Sequence, residues 1–269
     1  MSATAQELFD AGDLAGAIEA MNAEVRAHPA DINARGFLAE LLCFTGNLDR
    51  ADVMMEAVAR QDSENSVGVA LFRQQLRAAL ARQQTFTEGR APEMLDQPTE
   101  NMRLSLQALA SLRAGDEAEA ASLCAQAEAV RPPISGTHDE TAFDDMRDVD
   151  DITAGVLEVL TSTGKYYWVP MEKVREIEFR PVEKTRDLLW RRAHVVVTDG
   201  PEGEVYIPAI YPWPVDPSDQ QALLGRTTDW LGGEAGSSPV RGIGQRMFLV
   251  GNAGVPILDM GAFIFAGAA

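Results

Sequence analysis

The chain repeats one short pattern, which begins as Ala11-Gly12-Asp13-Leu14-Ala15-Gly16-Ala17 and decides the fold of the first half. The pattern returns 34 residues later as Thr45-Gly46-Asn47-Leu48, and a third copy reads Ala114-Gly115-Asp116-Glu117. In each copy the glycine suits the end of one helix, and the Asp or Asn suits the N-cap of the next. This period is the tetratricopeptide spacing, although the signature Trp and Tyr positions are empty, so we predict about seven helices in antiparallel pairs.

Composition divides the chain into two parts. Every Trp and Tyr lies between Tyr166 and Trp230, whereas Ala, Leu and Arg dominate before residue 135. Val, Ile, aromatic residues, Gly and Pro are typical of strands and turns. The adjacent Pro132 and Pro133 cannot continue a helix. We therefore predict an α+β fold with two domains. They are a tetratricopeptide-like helical-repeat domain over residues 1–135 and a small, mostly antiparallel β-rich domain with one or two helices over residues 136–269.

Local patterns predict individual elements in the second half. Apolar residues follow a helical spacing at Ile152, Val156, Val159 and Leu160, which predicts a helix that ends at Gly164. The β-branched run 195–197, the turn at 200–203 and the return over 204–207 predict a hairpin. The remaining patterns are those of a short helix over 219–224 and of strands at 177–179, 247–250 and 256–260.

The charge of the chain narrows its possible partners. Lys and Arg number 23 against 41 Asp and Glu, which gives a net charge of −18. A chain this acidic is repelled by phosphate backbones and anionic headgroups, so we expect neither a nucleic acid nor a membrane as partner. The N-terminus lacks the basic and apolar regions of a secretory signal, and two cysteines make no disulfide framework. We expect a cytoplasmic protein.

Motifs for catalysis or metal binding are missing from the sequence. The three histidines are far apart, both cysteines lie among apolar helical residues, and no nucleophile elbow or complete phosphate-binding loop is present. We therefore predict no catalytic residue, metal ion or cofactor. The acidic run 139–151 holds seven acids against one Arg. It is either a solvated or helix-capping face, or a site of catalytic or cation-binding carboxylates.

The aromatic segment Tyr166-Tyr167-Trp168-Val169-Pro170 is unusual in composition. In a strand, Tyr166 and Trp168 point to one face and Tyr167 to the other. One face then belongs to the core. The other is either core as well or a recognition surface, because Tyr and Trp are enriched at binding hot spots.

With the two residues before it, this segment resembles the G-x-Y-Y-W-V-P stretch of the ImpE family, also called TagJ or SciE-type proteins. Further segments are similar to the family in the same order: Arg186–Trp190, Ile207–Pro212, Gly225–Trp230, Gly242–Met247 and Pro256–Asp259. With the N-terminal repeat, the resemblance covers essentially the whole chain. One loop departs from the family, because Trp213-Pro214-Val215-Asp216 stands where relatives usually have Gly-Ser-Glu.

The resemblance implies a non-enzymatic adaptor of the bacterial type VI secretion system. Such proteins bind an N-terminal helix of the small contractile-sheath subunit and are linked to the AAA+ ATPase that disassembles the contracted sheath. The resemblance does not settle the oligomeric state. Two other functions stay open on the residues alone: a carboxylate- or metal-dependent enzyme that uses the run 139–151, or a generic tetratricopeptide-like scaffold for another complex.

A partner helix has two possible docking places, the groove of the helical repeats or the aromatic surface of the second domain. We place the partner-binding site in the second domain, where the distinctive residues lie. The predicted site residues are Tyr166, Trp168, Arg186, Trp190, Arg226, Trp230 and Arg246. The alternative is that these residues pack the sheet, with ion pairs between Arg186 and Asp187 and between Arg226 and Asp229.

Overall fold

The computed structural model describes residues 3–61, 66–234 and 236–266. Within these ranges the first half consists of helices, as the repeat predicts. Their bounds are α1 Ala5–Ala11, α2 Leu14–Ala27, α3 Ile32–Phe44, α4 Leu48–Gln61, α5 Ser66–Glu88, α6 Glu100–Arg113 and α7 Glu117–Val130. None of the helices in the described ranges is both long enough and apolar enough to cross a bilayer.

The repeated turn has the chemistry that the sequence predicts. Gly12 ends α1 in the left-handed conformation, with φ +89°. Asp13 caps α2 by accepting a hydrogen bond from the backbone of Gly16 at 2.8 Å. The third copy does the same, with Gly115 at φ +82° and Asp116 as the cap of α7. Each turn satisfies backbone groups that a helix end leaves without partners.

Strands and one short helix make up the second half. In chain order they are β1 Gly136–His138, β2 Thr141–Phe143, β3 Met146–Asp148, β4 Val156–Leu160, β5 Tyr166–Pro170, β6 Val174–Phe179, β7 Trp190–Val197, β8 Glu202–Pro208, α8 Gln220–Leu223, β9 Thr228–Leu231, β10 Arg241–Gly244, β11 Met247–Val250, β12 Ala253–Pro256 and β13 Ala262–Phe265. The main sheet has the order β2-β1-β13-β6-β7-β8-β4-β5, beside a β12-β11-β3 sheet and a β9-β10 ribbon. All of these strand pairs are antiparallel, which confirms the predicted fold class.

The main sheet is covered on both faces. One face packs against the three-stranded sheet, with Ile177 and Val195 in the same core as Phe248. On the other face the helices pack, and the rings of Phe72 and Trp190 lie 6.3 Å apart between centroids. Side chains from before and after residue 135 thus fill common cores. The division into domains at 135/136 stays a prediction; the chain does change from helix to strand between Val130 and Gly136.

Two predicted elements were wrong. The segment 152–160, predicted as a helix, is a turn over 152–155 followed by the strand β4, whose five side chains are all buried. A strand buried on both faces is apolar almost throughout, so its periodicity does not separate it from a helix. The predicted strand 256–260 is a 3₁₀ turn over Ile257–Asp259, between β12 and β13. The hairpin of β7 and β8, the helix α8, and the strands β6 and β11 are confirmed.

Candidate partner-binding site

A buried ionic cluster joins the helices to the sheet. Glu158 on β4 accepts a hydrogen bond from Arg82 Nε of α5 at 2.8 Å. The same carboxylate pairs with Arg246 and accepts a hydrogen bond from the Tyr166 hydroxyl. Arg246 Nη1 also lies 3.4 Å from Asp148 Oδ2. Because the carboxylate and two guanidinium groups come from three distant segments, this cluster fixes how the two halves pack.

Charge and burial shift the pKa values in this cluster in opposite directions. Burial raises the pKa of Glu158, but Arg246 and Arg82 outweigh that effect and lower it to about 2. Glu158 is therefore ionised at neutral pH. Burial also raises the pKa of Asp148, and Arg246 offsets this only partly. Burial and then the nearby Asp148 carboxylate raise the pKa of Asp150 to about 7, as expected for two acids that share a dry site.

The two buried aspartates anchor the loop that departs from the family. Asp150 Oδ2 accepts hydrogen bonds from Trp213 Nε1 at 2.5 Å and from the backbone of Gly242 at 3.0 Å. The Tyr211 hydroxyl donates to Asp148 Oδ1 at 2.9 Å. Both carboxylates are at most 1% exposed, so they are enclosed by the protein groups that they bind.

The rest of the acidic run 139–151 is spread over the surface. Asp145 pairs with Arg131 at 2.5 Å, while Asp139, Glu140 and Asp144 are exposed. Across the described ranges, no three or more His, Cys, Asp or Glu side chains are grouped so as to hold a metal ion. The run therefore divides into buried anchors and surface acids.

Four of the seven predicted site residues lie in the interior. Trp168 and Arg246 are fully buried, Tyr166 is 2% exposed and Trp190 is 5% exposed. Trp168 Nε1 donates a hydrogen bond to the Tyr166 hydroxyl at 2.6 Å, so these two side chains share a face as predicted. The structure thus brings Tyr166, Trp168 and Arg246 together around Glu158, and packs Trp190 against the helices.

The other three predicted residues lie nearer the surface. Arg186 Nη1 pairs with Glu40 Oε1 of α3 at 3.0 Å rather than with Asp187. Arg226 donates to the carbonyl oxygen of Phe9 at 2.7 Å, at the end of α1. Trp230 on β9 is 38% exposed. Both arginines therefore tie a helix to the second half, and Trp230 is the exposed aromatic residue of the set. A partner-binding role for these residues stays a prediction.

A groove with a volume of about 370 Å³ opens between the two halves. We call it the junction groove. It is bounded by the α3–α4 turn at 43–48, by α5 at 79–87, and by the loop 210–215 with Leu189, Trp190 and Leu223. Trp190 is the one predicted site residue that lines it. The exposed Pro214 of the divergent loop also lines the groove. The departure of this loop from the family pattern was therefore a second sequence signal, besides Trp190, that pointed to the groove.

Exposed acids flank the junction groove in sequence. Asp49 follows the α3–α4 turn, Glu88 ends α5, and Asp216 follows the loop 210–215. Of the neighbouring bases, Arg50 donates to Asn22, and Arg90 donates to Gln84 at 2.9 Å. The segments that bound the groove carry one charged side chain, Arg82, which pairs with Glu158, and the residues that flank these segments carry both signs of charge.

Comparison with known proteins gives a consistent result for both halves. The family model described as ImpE protein matches residues 140–263, and that of the tetratricopeptide repeat matches residues 8–82. The type VI secretion system accessory component TagJ of Pseudomonas aeruginosa is 32% identical over 257 residues, which cover 95% of this chain and 89% of that protein.

A solved structure extends the similarity to three dimensions. The crystal structure of a Vibrio parahaemolyticus protein superposes with a TM-score of 0.91 at 26% identity, and the match covers 98% of this chain and 97% of that one. The same helical and β-rich halves are therefore packed together in both proteins. Because TagJ is 32% identical to this chain over nearly its whole length, and the ImpE model matches the second half, this chain belongs to the ImpE family.

Proposed function

We propose that this chain is a non-catalytic, cytoplasmic adaptor of a type VI secretion system and binds a helical segment of the small contractile-sheath subunit. Its similarity to a type VI secretion accessory component supports the assignment to that secretion system. The observation that carries the binding proposal is the junction groove, a largely apolar cleft between the helices and the sheet. An amphipathic helix binds in such a groove by its apolar face.

A partner helix meets the repeats in the junction groove because the second half of this chain already contacts α3 and α5 around that groove. Trp190 packs on Phe72 of α5, and Arg186 pairs with Glu40 of α3. Glu158 binds Arg82 further along α5. These contacts cover the sides of α3 and α5 that face the sheet. The site that we propose is thus one cleft with a wall from each half, and it combines the two docking places suggested by the sequence.

Charge defines the chemistry of the partner helix. The net charge is −18, and Asp49, Glu88 and Asp216 flank the groove. We therefore propose a helix with apolar residues on one face and Lys or Arg along its borders, since complementary charge steers association and fixes orientation. Trp190 contacts the apolar face. Trp230 gives a further exposed contact, and the other five predicted residues act by holding the groove in shape.

Assistance of sheath disassembly is the second part of this proposal. An adaptor that holds a sheath helix and also reaches the AAA+ ATPase raises the local concentration of the sheath at the ATPase. The tetratricopeptide-like half, whose outer helix surfaces remain solvent-exposed at residues such as Val53, offers surface for that second contact.

Titration of the chain with a labelled peptide from the N-terminal helix of the sheath subunit tests the groove. Gln83→Trp places an indole at the exposed wall of the groove without altering the core. We expect its affinity for the peptide to fall about tenfold or more, because the bulky ring occupies the cleft. Arg77→Trp adds the same ring at an exposed position of α5 outside the groove lining and serves as the control. Equal affinities of the two folded variants would reject this groove as the site.

A further inference from the structure

The two ends of the main sheet differ in how they are covered. At the β5 end, the linker between α5 and α6 supplies an additional bridge. Glu93 N donates to the Tyr166 carbonyl oxygen at 2.9 Å, and Trp168 N donates to the Glu93 carbonyl oxygen at 3.1 Å. At the other end, β2 pairs only with β1 within the described residues. The sheet therefore has one covered edge and one open edge.

The backbone of Ala142 faces away from the sheet at this open edge. A two-residue turn of Asp139 and Glu140, both with positive φ, joins β1 to β2. In such a hairpin the two residues that flank the turn form a hydrogen-bonded pair. The next pair along the strands is not hydrogen-bonded, so its N–H and C=O groups point away from the partner strand. The flanking pair is His138 with Thr141. The N–H and C=O groups of Ala142 consequently point outward, which leaves a donor and an acceptor for another strand.

An apolar groove lies beside this edge. It has a volume of about 590 Å³ and lies between β2 and the hairpin of β11 and β12. Phe143, Val250 and Val255 contribute apolar surface to it. The Phe143 ring packs against Phe263 and Phe265, with 6.1 Å between centroids in each pair, so the core holds the groove wall in place. We call this the edge groove.

The edge groove is acidic at its rim and has no Lys or Arg in its described lining. The exposed Asp144 lines it, and the exposed Asp139 and Glu140 lie beside it in the turn between β1 and β2. Glu140 and Asp144 form no ion pair with any residue in the described ranges. Asp139 lies 3.4 Å from His138 Nε2 and accepts a hydrogen bond from the backbone of Ala262 at 2.8 Å. A second copy of this chain would bring the same acids against these, which like-charge repulsion disfavours. A basic partner complements them.

We propose that β2 is a second docking surface, which binds an extended basic segment of a partner protein by β-strand addition. The segment pairs with the backbone of Ala142, directs alternate apolar side chains into the edge groove, and directs Lys or Arg towards the acidic rim. Backbone pairing provides affinity, and the alternate side chains provide specificity. This surface is separate from the junction groove, so it adds a contact that the proposed sheath-helix site does not provide.

A labelled peptide of sequence Arg-Val-Arg-Val-Arg-Val tests the proposal on the full chain, with Glu-Val-Glu-Val-Glu-Val as the matched acidic probe. We expect the basic peptide to bind and to slow amide hydrogen exchange at residues 141–143, and the acidic one not to bind. Ala142→Pro removes the outward N–H at an edge position that tolerates proline, so affinity falls about tenfold or more. Ala142→Val keeps that donor and retains binding. Melting temperatures check that each variant folds.

The charge contribution is tested separately. The double variant Glu140→Gln, Asp144→Asn leaves the backbone edge intact, and we expect severalfold weaker binding and a shallower salt dependence. The proposal is overturned if the basic peptide does not bind, if the acidic peptide binds as well, or if residues 141–143 show no protection. It is also overturned if folded Ala142→Pro binds like the wild type. Should Ala142→Pro fail to fold, exchange protection and the double variant decide the outcome.

Discussion

At the scale of single residues, the buried charges explain how the two halves are held together. Glu158 receives hydrogen bonds from Arg82 on a helix and from Tyr166 in the adjacent strand, and it pairs with Arg246, 88 positions away in sequence. The sequence predicts that Tyr166 and Trp168 share one face, because alternation along a strand is a local property. It cannot assign that face to the interior, because the partner charges converge only in the folded chain.

The pH dependence of stability tests the environment of Asp150. Its folded pKa is about 7, and an unfolded Asp titrates near 4, so between these values the folded state keeps a proton that the unfolded state has released. Stability is therefore lost as pH rises through this window. Asp150→Asn removes this titration. We expect the unfolding free energy of the wild type to fall between pH 5 and pH 8 by about 2 kcal/mol more than that of the variant.

Urea unfolding of both proteins at the two pH values measures this difference. Any hydrogen bond that the asparagine weakens lowers stability at both pH values, so it cancels in the comparison. Glu158 acts in the opposite direction, because its lowered pKa stabilises the fold above about pH 4 and this contribution is lost at lower pH. Identical pH dependence of the wild type and Asp150→Asn would show that Asp150 ionises in the folded protein at its ordinary pKa.

At the scale of elements, local sequence patterns predicted the turns between helices but did not predict the fully buried strand. The Gly-Asp turns at 12–13 and 115–116 were predictable because they need a left-handed glycine and a capping carboxylate. The strand β4 was not predictable. Its five residues, Glu158 included, are buried, so the alternation that marks a half-exposed strand is missing.

Two glycine substitutions should change stability in opposite directions. Gly12 has φ +89°, and a Cβ there would clash with the side-chain amide of Gln221, so Gly12→Ala is expected to destabilise the chain by about 1 kcal/mol or more. Gly36 lies inside α3, and an added Cβ would meet no neighbouring side chain within 4 Å among the described residues. Gly36→Ala should therefore stabilise the helix by about 0.5–1 kcal/mol. Thermal unfolding of both variants measures the two effects. A stabilised Gly12→Ala protein would contradict the assigned turn geometry.

At the scale of the whole molecule, composition predicted the two halves but not the space between them. The helical repeat and the confinement of Trp and Tyr to 166–230 were enough for the fold class. The junction groove depends on how the α3–α4 turn packs beside the loop 210–215. No pattern in the sequence indicates that these two segments lie side by side. Likewise, Trp190 was predicted as a site residue from its motif, whereas its place in the groove wall follows only from packing against Phe72.

Site-specific photocrosslinking tests whether a sheath-subunit helix docks in the junction groove. A benzophenone side chain replaces the exposed Pro214 in the groove wall in one variant and the exposed Ile264 on β13 in a control. Each folded variant is mixed with the N-terminal helix peptide of the sheath subunit and irradiated. We expect a crosslinked product from position 214, competed away by unlabelled peptide, and none from position 264. Crosslinking from 264 but not from 214 would contradict docking in this groove.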